Sequence, residues 1–268
     1  MTGSFCTSIL RTTDPDRAVA FYGSLIGWTS QSGAPGHTFL KHDGKTVASI
    51  QRIDTGRDEW VPHVLVEHIE MAVADATELG ATLVDQQDVE GVARIATMRD
   101  LEGAAFGLWQ AAPHAGAELT DVLGSIWWVE LMARDPAMGR DFYGRLFGWK
   151  VRETSFQPIG LYRVFERPAL SAVEGPALSA VEGPALSVEG PPTQEGGLNQ
   201  IDPEWEMGPV WLTFISVEDC DKTMAHACDF GGESGFVHTV PKHGRIGMIV
   251  DPGGAALWLR GPVPAAQT

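Results

Sequence analysis

The sequence predicts an α+β protein built from two tandem copies of one module, over residues 1–115 and 116–268. Three observations predict it. The chain aligns with itself in two ungapped blocks that occur in the same order. Each block reads as strand, helix, then strands. Turn and cap residues fall at matching places in both copies. Each helix can cover one face of its strands, which leaves the opposite sheet face free to form a concave surface.

The first block aligns Gly3 through Trp28 with Gly124 through Trp149. It pairs Asp14-Pro15 with Asp135-Pro136, Phe21-Tyr22-Gly23 with Phe142-Tyr143-Gly144, and Gly27-Trp28 with Gly148-Trp149. The second aligns Trp60 through Trp109 with Trp211 through Arg260. It pairs Val66-Glu67 with Val217-Glu218, Arg94-Ile95 with Arg245-Ile246, and Gly103-Ala104-Ala105 with Gly254-Ala255-Ala256. Between the blocks the second copy is longer. Most of the excess is a low-complexity PALSAVEG repeat within residues 168–192. It sits where the first copy has the Asp43-Gly44 turn, a hairpin tip that tolerates insertion, and it reads as a flexible or extended loop.

Taken in order, residues 5–11 and 126–132 read as strands. Asp14 and Asp135 are helix N-caps followed by proline at the first helical position. Ala18, Phe21, Tyr22 and Leu25 share one helical face, as do Phe142, Tyr143 and Leu146. Gly27 and Gly148 reverse the chain. Strands follow at 37–41 and 46–51, joined by Asp43-Gly44. The second half repeats the theme with a strand at 61–67, a helix at 70–79 and strands at 94–98 and 104–109. Its last turn is Asp100-Leu101-Glu102-Gly103, matched by Asp251-Pro252-Gly253-Gly254. Each module is therefore at least βαββ followed by βαββ, with room for one more short strand per half.

Nineteen basic and 35 acidic residues leave a net charge of −16, which repels phosphate backbones and anionic lipid. Nucleic acid and membrane are excluded as partners on that ground, and no apolar run reaches the length of a membrane span. Residues 1–10 carry no basic patch ahead of their short apolar run, so a secretory signal is not expected and the cytoplasm is. Cys6, Cys220 and Cys228 form neither a CxxC nor an even set, which argues against disulfides and structural zinc. No phosphate-cradling loop and no GxSxG elbow is present.

The stretches Asp135-Pro136…Phe142-Tyr143…Leu146-Phe147-Gly148-Trp149 and Asp251-Pro252-Gly253-Gly254 resemble the vicinal oxygen chelate superfamily, which includes glyoxalase I, bleomycin-resistance proteins and extradiol dioxygenases. Gly107-Leu108-Trp109-Gln110, His114, Gly116, Gly124 and Trp128…Glu130-Leu131 resemble the inter-module junction of a two-module, glyoxalase-like subgroup often labelled hydroxylase or glyoxalase-like antigen. The resemblance implies paired βαβββ units, mixed curved sheets and helices on the outer faces. It carries less about activity, because the superfamily hosts isomerases, lyases, dioxygenases and binders.

The resemblance also implies a divalent metal held by His, Gln or Glu on the first strand, the strand opening the second half, and the last strand. Those positions map to Thr7, Val61 and Gly107 in the first module, and to Trp128, Leu212 and Trp258 in the second. None is a His or carboxylate. A shift of two residues would bring in His63 and Glu130; an unusual metal site would need these with His238 or His243. The expectation is therefore no metal and no cofactor.

Trp128 and Trp258 can instead offer a stacking wall for a flat apolar ligand, or act as plain core aromatics. Glu130 shares the parity of Trp128. As a half-buried carboxylate beside indole it suits catalytic general-base work, or it is held structurally by backbone or Arg245. Arg245 recurs as Arg94 in the first copy; the two can anchor a ligand carboxylate, pair with Glu218 and Glu67, or simply be solvated. The candidate ligand-binding set is Thr7, His63, Trp128, Trp258 and Arg245, with Glu130 catalytic. The function expected is a glyoxalase/bleomycin-resistance-type protein, monomeric or homodimeric, holding a small, partly apolar molecule in a cleft between modules. The alternatives are a lyase or isomerase acting on a small carbonyl compound, metal-dependent or not, and an interaction module whose cleft is packed shut by its tryptophans.

Overall fold

A computed structural model describes residues 3–156, 160–168, 193–241 and 243–263. It contains four βαβββ units. The first runs β1 (Phe5–Thr12), α1 (Pro15–Ile26), β2 (Thr29–Ser32), β3 (His37–His42) and β4 (Lys45–Arg52). The second runs β5 (Glu59–Leu65), α2 (Ile69–Glu78), β6 (Thr82–Val89), β7 (Ala93–Arg99) and β8 (Ala105–Ala111). The third runs β9 (Ile126–Ala133), α3 (Pro136–Phe147), β10 (Lys150–Phe156), β11 (Gly160–Arg167) and β12 (Thr193–Gln200). The fourth runs β13 (Val210–Ser216), α4 (Cys220–Asp229), β14 (Glu233–Val240), β15 (Gly244–Val250) and β16 (Ala256–Gly261).

Each pair of units closes one curved, mixed sheet. The strand orders are β2-β3-β4-β1-β5-β8-β7-β6 and β10-β11-β12-β9-β13-β16-β15-β14, so the duplication read from the sequence is also a duplication of topology. β1 runs parallel to β4 and antiparallel to β5, and β5 runs parallel to β8. The strands without a clear sequence signal are those after each helix; the sequence left room for only a short strand there, but β6, β10 and β14 run to 8, 7 and 8 residues and only β2 is short, at 4. β2 is Thr-Ser-Gln-Ser, exposed throughout, and has no apolar face to announce it.

The helices start and stop as their caps direct. The Asp14 side chain accepts from the Arg17 N–H, and Asp135 accepts from the Ala137 and Met138 N–H groups. Gly27 and Gly148 end their helices at φ 78° and 73°, a left-handed conformation open to glycine at little cost. No helix among the described residues is long and apolar enough to cross a membrane.

The helices lie on the convex faces, and the two convex faces pack back to back. One core joins Ala18, Phe21 and Tyr22 of α1 to Met224 and Ala227 of α4 and Leu257 of β16. Its mirror joins Ile69 and Ala76 of α2 to Phe142 and Tyr143 of α3 and Phe165 of β11. Burying each large apolar side chain contributes roughly 1.5–3 kcal/mol, so the seam between modules is a true core.

Polar side chains register the seam in two matching relays. Trp60 Nε1 donates to the Tyr22 hydroxyl at 2.8 Å, and Tyr22 donates to Asp251 Oδ2 at 2.9 Å in the other module. Trp211 Nε1 donates to Tyr143 at 2.7 Å, and Tyr143 donates to Asp100 Oδ2 at 2.9 Å. Trp28 Nε1 donates to the Gly124 carbonyl and Trp149 Nε1 to the Gly3 carbonyl, at 2.7 and 2.6 Å. Many of the residues shared by the two copies are thus those that cross between them.

β11 and β12 pair antiparallel, as β3 and β4 do across Asp43-Gly44. The PALSAVEG repeat therefore connects the two strands of a hairpin. The reading of its conformation falls on residues 169–192, outside the described residues.

Candidate functional site

Because the convex faces are packed together, each sheet presents its concave face outward as a separate cup. The two cups have different contents. Sequence reasoning put the cleft between the modules, but apolar side chains fill that seam. The open cavity, of about 1850 Å³, lies mainly over the second sheet, and its rim reaches the first module at Arg57 and Arg99.

One row of the second cup is aromatic. Trp128 on β9 stands opposite Phe214 on β13, and Phe214 stands opposite Trp258 on β16. The Phe214 and Trp258 rings lie 5.3 Å apart, and Phe236 of β14 meets Trp258 edge-on at 4.9 Å. At the mouth Trp205 and Phe236 are 48% and 47% exposed, an unusual state for rings of that size.

Glu130 lies two residues along from Trp128 and shares its face. Tyr162 of β11 donates to Glu130 Oε2 at 2.6 Å and accepts from Trp128 Nε1 at 2.9 Å. Burial raises the Glu130 pKa, and hydrogen bonds from Tyr162 and Asn199 pull it back in part. The dyad rests on Gly197. A Cβ there would come within 2.3 Å of the Tyr162 hydroxyl and 2.8 Å of Glu130 Oε2. Where the first module pairs Ile9 with Ser49, the second pairs Glu130 with Gly197.

The first cup is filled. Thr7, His63 and Gly107 form its central row on β1, β5 and β8. The His63 imidazole lies over Gly107, where a Cβ would approach its Cδ2 to 2.1 Å. His63 is fully buried, its Nδ1 is 2.9 Å from the Val61 carbonyl, and burial pushes its pKa down to about 4. Arg11 Nη2 bonds Asp85 Oδ2 at 2.5 Å and Arg11 Nη1 bonds Glu59 at 3.2 Å; Gln51 adds a bond to Asp85 at 3.4 Å. Asp85 sits on β6, the far edge strand, so these bonds span the mouth of the cup. Ile9, Val89, Ile95 and Trp109 pack the rest.

The predicted residues therefore divide. Trp128, Glu130 and Trp258 converge in the second cup, and Thr7 and His63 in the first. Arg245 joins neither: it lies on the opposite face of β15 from Ile246 and Met248. Its guanidinium bonds Asp221 of α4 at 2.9 Å and Thr239 at 3.3 Å. Tyr162, Asn199 and Gly197 were not foreseen, because the insert breaks the self-alignment over β11 and β12. Aligning the hairpin strands separately on either side of the insert would have found them.

The first module, over residues 7–109, matches the family model of a glyoxalase-like domain. The whole chain is 32% identical to the anthracycline biosynthesis protein DnrV of Streptomyces peucetius, over 94% of this chain and 92% of that one. The chain belongs to the two-module, glyoxalase-like branch of the vicinal oxygen chelate superfamily. Another relative in this branch, described as a glyoxylase, is CFP32 of Mycobacterium tuberculosis, 27% identical over 95% of this chain and 93% of its own. The superfamily fold is shared with the Mn(II)-bound glyoxalase of Novosphingobium aromaticivorans at a TM-score of 0.59 and 14% identity, over 99% of this chain and 86% of that one.

The metal common in the vicinal oxygen chelate superfamily does not fit the residues present here. Across the second cup, the row that would hold it offers indole, phenyl and indole. Across the first it offers a hydroxyl, one imidazole and a glycine already covered by that imidazole. Among the described residues no group of three or more His, Cys, Asp or Glu could hold an ion. Val61 and Leu212, which sequence reasoning placed in these rows, stand one pair further along, because the register puts His63 beside Thr7 and Phe214 beside Trp128.

Proposed function

We propose that the chain is a small-molecule binding protein of glyoxalase/bleomycin-resistance type, which takes a flat, partly apolar ligand into the second cup without a metal. The carrying observation is the aromatic row Trp128, Phe214 and Trp258 on the wall of an open cavity, with Trp128 and Trp258 at positions to which the superfamily's metal ligands map. Indole and phenyl faces reward stacking with a planar ring system, and burial of a flat ligand supplies most of its affinity. Two relatives, DnrV and DauV, are anthracycline biosynthesis proteins, and a fused polycyclic aromatic is a ligand class this lining suits. The lining also widens the expected site. It is the cup of one sheet, with the other module supplying part of the rim.

Isothermal titration against a panel of aldehydes, quinones and polycyclic antibiotics tests this reading. The expected result is saturable one-to-one binding of a planar polycycle that EDTA leaves unchanged and Phe214→Ala weakens by at least about ten-fold. Failure of every panel member to bind would overturn it.

A second reading is a lyase or isomerase acting on a small carbonyl compound. It is favoured by the raised pKa of Glu130 and its bond to Tyr162, which suit proton transfer near neutral pH. Methylglyoxal turnover, with and without thiol, separates the two: equal rates for the wild type and Glu130→Gln would sink the enzymatic reading.

A further inference from the structure

Among the described residues no cation pairs with Glu130. Its partners are a phenol, Tyr162, and an amide, Asn199. Leu212 stands opposite it on β13 and Gly197 on β12, and Trp128 and Met132 flank it on its own strand and face. Of the cationic groups along the wall, Arg57 stands at the rim on the first module and Arg99 bonds Glu59 at 2.7 Å. Arg152 bonds Glu166 at 2.6 Å, and Arg163 bonds Glu153 at 3.2 Å. His238 stacks on Phe236 across the cup, and His243 lies beyond it at the end of β14. A carboxylate placed among neutral groups in an apolar cup is costly, yet this one is built in, with glycine at position 197 making room for it. The cost falls when the ligand brings a proton to the carboxylate oxygen.

We propose that the ligand of the second cup carries a weakly acidic hydroxyl, a phenol or an enol, on its planar ring system, and that this hydroxyl shares a single proton with Glu130. The proposal rests on the flat-ligand reading of the same cup and names the polar group that reading leaves open. Tyr162 occupies one carboxylate oxygen as a donor, which leaves the carboxyl able to accept the ligand O–H through its remaining capacity. Two anionic oxygens in contact in this cup would repel strongly, so the pair holds on to its last proton well after the free hydroxyl would have lost it. Burial already holds the Glu130 proton more firmly than water would. Above the pH at which both the free hydroxyl and the Glu130 carboxyl of the unliganded protein have ionised, the ligand therefore binds together with one proton drawn from solvent. Trp128, through its bond to Tyr162, fixes the phenol that orients the carboxyl; both are positioning residues.

The test uses the full chain and three probes of one shape: 2-hydroxyanthraquinone, 2-methoxyanthraquinone and anthraquinone. Calorimetry in buffers of different ionisation enthalpy counts protons taken up, and absorbance reports whether the bound phenol is ionised. Expected for the wild type is uptake approaching one proton at pH values above the ionisation of both the free phenol and Glu130, with the phenol bound neutral. Methylation should weaken binding by at least about ten-fold, the scale of a charge-assisted hydrogen bond. In Glu130→Gln the uptake should vanish and the phenolate should bind, because an amide can donate to it. Tyr162→Phe, which keeps the carboxyl, should keep the uptake; melting curves confirm that both variants fold. Equal affinities for the three probes, or the same uptake in Glu130→Gln, would overturn the proposal and leave the flat-ligand reading standing. Binding of none of the three would remove both.

Discussion

The Tyr22 hydroxyl donates to Asp251 Oδ2 at 2.9 Å across the seam between the two modules. Tyr22 is fully buried, and it also accepts the Trp60 indole N–H. Its twin, Tyr143 with Asp100, does the same in the opposite direction. Tyr22→Phe removes one oxygen and leaves a buried carboxylate and a buried indole N–H each short of a partner. The expected loss is about 2–4 kcal/mol in urea unfolding. Tyr143→Phe should cost about the same, and the double variant should be near the sum because the relays share no atom. A loss within about 0.5 kcal/mol would show that the relays do not register the seam.

His63 sets a pH dependence. Its folded pKa, about 4, lies below the usual histidine value because burial disfavours the charged ring. A group whose folded pKa is depressed contributes stability that is complete above its unfolded pKa. That contribution is lost as pH falls from about 6.5 through about 4, and it amounts to something on the order of 3 kcal/mol. Carboxylates titrate in part of the same window, so the comparison is with His63→Gln. The variant should be less stable than wild type at neutral pH, and its stability should fall less between neutral pH and the His63 value. Parallel pH profiles would contradict this account.

Gly107 carries the buried His63 ring with no room for a methyl group. Gly107→Ala forces the imidazole or β8 to move within a packed cup, at a cost of about 1–3 kcal/mol or more. Thermal unfolding should show it. An unperturbed melting temperature would mean that the first cup has slack.

Trp205 lines the mouth of the second cup at 48% exposure. Trp205→Ser should change stability by no more than about 0.5 kcal/mol, since little packing is lost. It should nonetheless weaken binding of a planar probe severalfold. Unaltered affinity would place the ligand deeper, away from that loop.

Much of the fold was legible because its signals are local or periodic. Asp14-Pro15 and Gly27 bound α1, Asp135-Pro136 and Gly148 bound α3, and the repeat of these residues announced a repeat of topology. The strands that follow each helix were not legible in the same way. β2 has no buried face to impose alternation on its sequence. The convergence of Trp128, Glu130 and Trp258 followed from strand parity. The position of Arg245 did not, because parity assigns a face only once the register is known, and Arg245 falls on the face covered by α4.

By itself, the sequence determined that there are two copies of one module and where their helices begin and end. Local backbone chemistry and side-chain identity carry those conclusions. Which cup is filled and which is open was decided only in three dimensions. Arg11 and Asp85 lie far apart in the chain and close the first cup only because the sheet curves until its edge strand faces its centre. Glu130 and Tyr162 meet only because β12, which follows the insert, pairs with β11 on one side and β9 on the other. Such pairings depend on sheet curvature and register, which no single segment encodes.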